Sequence, residues 1–367
     1  MLSRPRLMSL LTLMLLSLPL GAAEGARVFP LWDGKETVAS YAERVKLPAT
    51  KSLDLGGGVT LDLVLIPAGQ FIMGSEEPKV PTITKEETNV PILVGAICIM
   101  LLVLRWMITF RKTRKFSFSL RWLLLMTMAT GAFIGGNARQ LLADKETLQY
   151  LKEMKEYDAL PSSEKLAHSV TLTQPFYMGK YTVTQAQYTA IMGNNPSHLK
   201  GAQLPVERVS WEDATTFCTK LNELLKNKIN QARLPTEAQW EYACRAGTRT
   251  RFYSGNLDSD LNVAGWFDSN SGYTTHPVGQ LKANAFGLYD MHGNVFHWCQ
   301  DFWEDSYSST NPTQNPTGPK QGISRVLRGG SWSDPPDYCR SAYRDGITPD
   351  VRYLNFGFRV VISGLDF

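Results

Sequence analysis

Arg233-Leu-Pro-Thr-Glu-Ala-Gln-Trp-Glu-Tyr-Ala-Cys-Arg-Ala-Gly247 opens with a helix start set among short strands and turns. A threonine hydroxyl ahead of an apolar-periodic run can accept from the free N–H groups of the first turn. The helix therefore begins at Pro235-Thr-Glu-Ala, with its cap at Thr236 or just before it, and runs to about Arg245. Upstream, Ser210-Trp-Glu-Asp starts a second helix, with Ser210 as N-cap and Asp213 three residues on, reaching about Lys226. From His168 onward the remainder is a succession of short strands and Gly/Asn turns, and no repeat of roughly 20–50 residues is present.

Further out, residues 61–75 alternate around Pro67-Ala68-Gly69 and read as a β-hairpin. Residues 24–60, with a helix-like stretch at Lys35–Val45 and the turn Gly56-Gly57-Gly58, form a lead-in segment. Residues 137–166 are polar, with a helix expected around Asp144–Tyr157.

Two stretches are strongly apolar and cationic. Residues 1–23 carry Arg4 and Arg6, an apolar run from Met8 to Leu20 and the small residues Gly21-Ala22-Ala23, the pattern of a signal peptide; an uncleaved anchor is the alternative. Within residues 79–166, the runs 91–110 and 116–136 are each long enough to cross the hydrocarbon of a bilayer. The basic connector Arg111-Lys-Thr-Arg-Lys115 places the turn of this transmembrane hairpin in the cytoplasm, and both outer ends on the exported, periplasmic or extracellular, side. A buried soluble helical hairpin is the bland alternative.

The 38 Lys+Arg and 34 Asp+Glu residues give a net charge of +4. Eight of the cations lie in residues 1–23 and 91–136, where no acid occurs; the others number 30 against the 34 acids, a net of −4. The bulk of the chain is mildly acidic, which argues against a nucleic-acid partner.

Phe71-Ile-Met-Gly-Ser, Tyr181-Thr-Val-Thr-Gln-Ala-Gln-Tyr, Leu204-Pro-Val-Glu-Arg-Val-Ser-Trp, the 233–247 stretch, Asn284-Ala-Phe-Gly-Leu-Tyr-Asp-Met-His-Gly-Asn-Val, Arg328-Gly-Gly-Ser-Trp and Asn355-Phe-Gly-Phe-Arg follow one another in order. This series resembles the formylglycine-generating-enzyme, or sulfatase-modifying-factor, domain family over residues 61–78 and 167–363. The resemblance implies a compact α+β domain with little regular structure, similar to C-type lectins, interrupted by the membrane hairpin. An insertion whose ends meet is tolerated by the fold.

Enzymes of that family use O₂ and a copper(I) ion, held by two cysteine thiolates, to oxidise a cysteine of a nascent sulfatase to formylglycine. Soft thiolates select Cu(I). Counted forward from Gly329-Gly330-Ser331-Trp332, the two thiolate positions fall on Asp334 and Cys339. Counted back from Ala342-Tyr343-Arg344, Cys339 lies instead near a structural cysteine. Either way one thiolate is missing, and Asp334 is a hard oxygen ligand. The resemblance also implies a Cys244–Cys339 disulfide, which would consume the remaining thiol. Cys98 lies in a membrane span, and Cys218 is a buried helix thiol unless it pairs with Cys299.

Two calcium sites are implied as well. One involves Asn262, Val263, Asn270 and Gly272; the other involves Asp290, Gly293, Val295 and the position of His297, where the family carries a glutamate. Imidazole is a poor ligand for a hard cation. The five histidines form no His-x₃-His-x-Glu pattern, which argues against the related sulfoxide synthases, and no phosphate loop or Ser/His/Asp triad occurs. The reading is an exported, membrane-tethered pseudoenzyme of this family that binds or scaffolds an exported polypeptide, a sulfatase among the candidates, in the cleft at Ser331, Trp332, Asp334 and Cys339. The alternative is an active formylglycine-generating oxidase.

Overall fold

The computed structural model describes residues 28–78, 145–224, 231–307 and 313–363. The signal peptide, both membrane runs and Cys98 lie outside the described residues. Among the described residues no helix is long and apolar enough to cross a membrane.

Strand β2 (Thr60–Ile66) shows how the core is arranged. Its side chains alternate between two faces, and both faces are covered. Leu61, Leu63 and Leu65 enter one apolar cluster, and Val64 and Ile66 enter a second. β2 sits inside a five-stranded sheet between β1 (Thr50–Asp54) and β5 (Phe176–Gly179). β13 (Val361–Ser363) and β6 (Gln231–Arg233) complete that sheet. The expected 61–75 hairpin does not form. Both edges of β2 are taken by β1 and β5, so β3 (Gly69–Met73) leaves the sheet after Pro67 and pairs with β4 (His168–Leu172).

The β3–β4 pairing closes the long insertion. Met73 faces His168 in the ladder, and the Ser75 N–H donates to the Glu164 carbonyl at 2.8 Å. The C-terminal part of the inserted segment belongs to the domain: Tyr150, Met154 and Tyr157 of α2 (Lys145–Ala159) are buried, and so is Glu164. The lead-in also joins the core, through Tyr41, Ala42 and Val45 of α1 (Val38–Val45) and through Phe29 and Leu47.

α3 (Gln185–Met192) and α4 (Trp211–Leu224) pack against each other beside the first cluster. α5 (Glu237–Arg245) realises the helix read from the sequence. Thr236 caps it in a capping box with Gln239, and Ala238, Trp240, Tyr242, Ala243 and Cys244 fill the second cluster. Its i, i+4 polar stripe, Glu237, Glu241 and Arg245, is buried too. Those charges are paired: Glu241 with Arg245 and Arg328, and Glu237 with Arg344.

A short helix α6 (Asp258–Leu261) precedes the small parallel pair of β7 (Gly265–Trp266) and β8 (His292–Gly293). A four-stranded sheet, in the order β11 (Arg344–Ile347), β10 (Arg325–Arg328), β9 (Phe296–Phe302), β12 (Phe356–Phe358), carries the site on the turn after β10.

Candidate functional site

β10 ends at Arg328, and Gly329 and Gly330 follow with φ of 101° and 71°. Only glycine suits this turn. A Cβ on Gly330 would lie 2.5 Å from the Cys339 Sγ and 2.9 Å from the Cys339 Cα. The turn buries Ser331, whose hydroxyl donates to the Asp334 carboxylate and accepts from Asn355 Nδ2 at 3.1 Å. The Ser333 hydroxyl lies 3.1 Å from that of Ser331. Burial pushes the Asp334 carboxyl up, and the carboxylates of Asp345 and Asp268 add to that while the Ser331 bond opposes it. Trp332 is pinned through its backbone N–H to Asn294 O at 3.0 Å and its indole N–H to Leu354 O at 3.3 Å. Tyr338, Tyr353 and Leu354 are exposed, and the Tyr338 and Tyr343 rings pack 4.8 Å apart.

Ser331, Trp332 and Asp334 thus come together in one turn, with Cys339 behind it. The Cys339 thiol is fully buried among Phe252, Leu261 and Phe267. Burial first, and then the carboxylates of Asp334 and Asp268, push it well above the usual thiol range. A thiolate, the form that binds soft metals, is disfavoured there. The other candidate ligand, Asp334, is engaged by Ser331. These residues do not fit a two-thiolate copper(I) centre.

The Cys244–Cys339 bridge is absent, and Cys218, Cys244, Cys299 and Cys339 are all buried free thiols. The Cys244 Sγ faces the Ser341 hydroxyl at 3.8 Å and the His292 ring nitrogens at 3.8 and 3.9 Å. His292 connects the two cysteine segments instead. The Tyr253 N–H, which can only donate, reaches Nε2 at 3.1 Å, so Nδ1 carries the proton and donates to the Cys339 carbonyl at 2.7 Å. Burial holds this imidazole neutral, with its pKa pushed down to about 3. Neither His292 nor Ser341 was singled out as part of a site from sequence. The signal for Ser341 was the run Ser341-Ala342-Tyr343-Arg344, counted from its C-terminal end.

Of the first calcium set, Asn270 spends its side chain on a local turn: Oδ1 accepts from Phe267 N at 2.8 Å and Nδ2 donates to Gly265 O at 3.0 Å. The Val263 carbonyl accepts from Lys282 N at 2.9 Å, Asn262 ends α6, and Gly272 lies exposed with φ 62°. Of the second set, Asp290 is buried with Oδ1 unpartnered, Gly293 pairs its N–H with Gly329 O at 2.7 Å, and Val295 is buried. His297 has both ring nitrogens engaged, one with Trp240 and one with Thr182. Among the described residues no group of three or more His, Cys, Asp or Glu side chains is arranged to hold a metal ion.

A family model described as the sulfatase-modifying factor enzyme 1-like domain matches residues 131–363, well over half of the chain. The chain is 33% identical over 247 residues to the chaperone protein LppX of Paenibacillus barcinonensis, covering 53% of this chain and 82% of that protein. It is 34% identical over 213 residues to the formylglycine-generating enzyme of Mus musculus, covering 54% of each. The chain therefore spans about half the length of that enzyme. Among solved structures, Treponema denticola variable protein 1 aligns with a TM-score of 0.59 and 26% identity, covering 86% of this chain and 99% of that one.

Proposed function

We propose, from the premise that this chain belongs to the sulfatase-modifying factor enzyme 1-like domain family, that it is a binding or scaffolding module for an exported polypeptide, with a sulfatase among the candidates. One observation carries this reading. The single thiol at the position of the oxidase centre is sealed in an apolar cluster, and the residue in place of the second thiol is a carboxyl held by Ser331. Beside it lies an aromatic and carboxyl surface in which Tyr338 and Tyr353 are exposed and Trp332, Asp268 and Asp334 are half-buried, suited to an extended polypeptide. The similarity to a protein named a chaperone supports a role in handling another protein. In this reading the 91–136 hairpin tethers the domain to the membrane on the exported side.

A second reading, an active formylglycine-generating oxidase, is favoured by the similarity to the mouse enzyme. Purified full-length protein, loaded with Cu(I) and supplied with O₂ and a Cys-x-Pro-x-Arg peptide, decides between them by mass spectrometry. Unchanged peptide that is nevertheless retained by the protein is the expected result. Conversion of its cysteine to the aldehyde, abolished by Cys339→Ser, overturns the binding-module reading.

A further inference from the structure

Where the ladder that closes the insertion meets the first turn of α5, the packing leaves a cavity of about 30 Å³. Met73 of β3 and His168 of β4 line one side, Glu237 of α5 and Asp301 of β9 another, and Tyr307 and Arg344 close it. A water needs roughly 10–15 Å³ of such space and at least two polar partners, and the cavities that stay dry are apolar ones.

Tyr307 brings the first polar partner. Its ring is fixed edge-on to His168 at 4.8 Å, with the Arg344 guanidinium 4.2 Å from its centre. Its hydroxyl is buried, with no partner among the described residues. Burial, more than any neighbouring charge, pushes this phenol well above its usual range, so it keeps its proton and stays a donor. A buried donor left without an acceptor is costly.

Asp301 brings the second. Its Oδ2 accepts from the Glu237 N–H at 2.9 Å, which leaves Oδ1 for another group. The backbone of Gly318 passes so near that a Cβ there would lie 3.0 Å from Oδ1, and the bare glycine leaves that side of the carboxyl clear.

The charges around the cavity select a neutral occupant. Glu237 and Arg344, which both line it, are paired with each other. A cation inside would lie beside the guanidinium, and an anion beside the Glu237 carboxylate. Because Oδ2 of Asp301 is an acceptor, the neutral acid carries its proton on Oδ1. The occupant must therefore accept from Oδ1 in one protonation state and donate to it in the other, which water does.

We infer that this cavity is a hydration site, in which a buried water accepts from the Tyr307 hydroxyl and bonds to Asp301 Oδ1. The water joins the segment after β9 to β9 itself and, through the Glu237 N–H, to the first turn of α5.

A crystal structure of the full chain tests this directly, with a parallel soak in rubidium chloride. A density peak within hydrogen-bonding distance of both Tyr307 Oη and Asp301 Oδ1, without anomalous signal after the soak, is expected. A cavity without density, or a peak that acquires rubidium signal, overturns the inference. Thermal melting of Tyr307→Phe gives a second reading, because this change keeps the ring and removes the hydroxyl alone. Loss of one hydrogen bond should lower the melting temperature by roughly 2–4 °C in a domain of this size. A variant that melts at or above the wild-type temperature would show that the hydroxyl had no partner to lose, and likewise overturns the inference.

Discussion

The thiol of Cys244 lies 3.8 Å from the hydroxyl of Ser341, and both are buried. Cys339, two residues earlier in the chain, turns its sulfur the other way, into Phe252, Leu261 and Phe267. The disulfide implied by family resemblance therefore fails by two positions. The group opposite Cys244 is an oxygen, and the thiol that remains has no partner to oxidise with.

Ser341→Cys should supply the missing partner. The two side chains already touch, and a bridge between residues 244 and 341 closes a long loop. Such cross-links typically contribute roughly 2–4 kcal/mol. After mild oxidation the variant should lose two titratable thiols and melt higher than its reduced form. Retention of every thiol would show that the two side chains do not meet as described.

The four cysteines of the described residues should be silent towards a thiol reagent in the native state. Each is buried, and burial raises the pKa of each. In a Cys98→Ser background, native protein is expected to take up no Ellman's reagent until denaturant is added. Rapid native labelling at Cys339, mapped by peptide mass, would contradict the sealed site and revive the oxidase reading.

The end of the inserted segment should prove indispensable to the domain. Glu164 and Arg340 form a buried bidentate pair, one of whose bonds is 2.9 Å, and it ties the segment after α2 to the turn carrying Cys339. Burial acts to raise the Glu164 carboxyl, against the pull of the Arg340 guanidinium. Removing one partner of a buried pair strands the other charge, at a cost of about 3–5 kcal/mol. Arg340→Met should therefore unfold at much lower denaturant than wild type, and adding Glu164→Gln should recover part of the loss. A single variant as stable as wild type would mean that the pair contributes nothing.

Local chemistry was legible in the sequence, and partner choice was not. Pro235-Thr-Glu-Ala announces α5, with its cap at Thr236 or just before it, because capping is a matter of a few consecutive residues, and the structure puts the cap at Thr236. The alternation of residues 61–75 announces two strands, but a period of two says nothing about which strand lies alongside. β2 and β3 accordingly joined different sheets. The candidate site is read from Gly329-Gly330-Ser331, whose backbone demands are local. The sulfur pairing was missed because it depends on the length of the 333–340 loop, where a two-residue difference exchanges Cys339 for Ser341. The sequence does not pair Glu237 and Glu241 with any cation outside their own helix; the fold does so by placing Arg328 and Arg344 against them.

Asp301 should give the domain a stability term that weakens as pH rises. Its carboxyl is buried on β9, accepts from the Glu237 N–H at 2.9 Å, and abuts Gly318. Burial and then the neighbouring Glu237 carboxylate push it from 3.8 up to about 7, with Arg344 and Arg233 pulling the other way. The folded state thus holds a proton that the unfolded chain releases, so the contribution is complete below pH 3.8 and is lost as pH climbs to about 7. A shift of this size corresponds to at most about 4 kcal/mol. His292, held neutral, works in the opposite sense, with stability falling as pH drops below 6.5, but it is common to both proteins compared and cancels. Asp301→Asn keeps the acceptor for Glu237 and removes the charge. Its urea midpoint, set against that of wild type, should improve steadily across that pH range and level off above it. A gap between the two proteins that stays constant with pH would show that Asp301 titrates as an ordinary carboxylate.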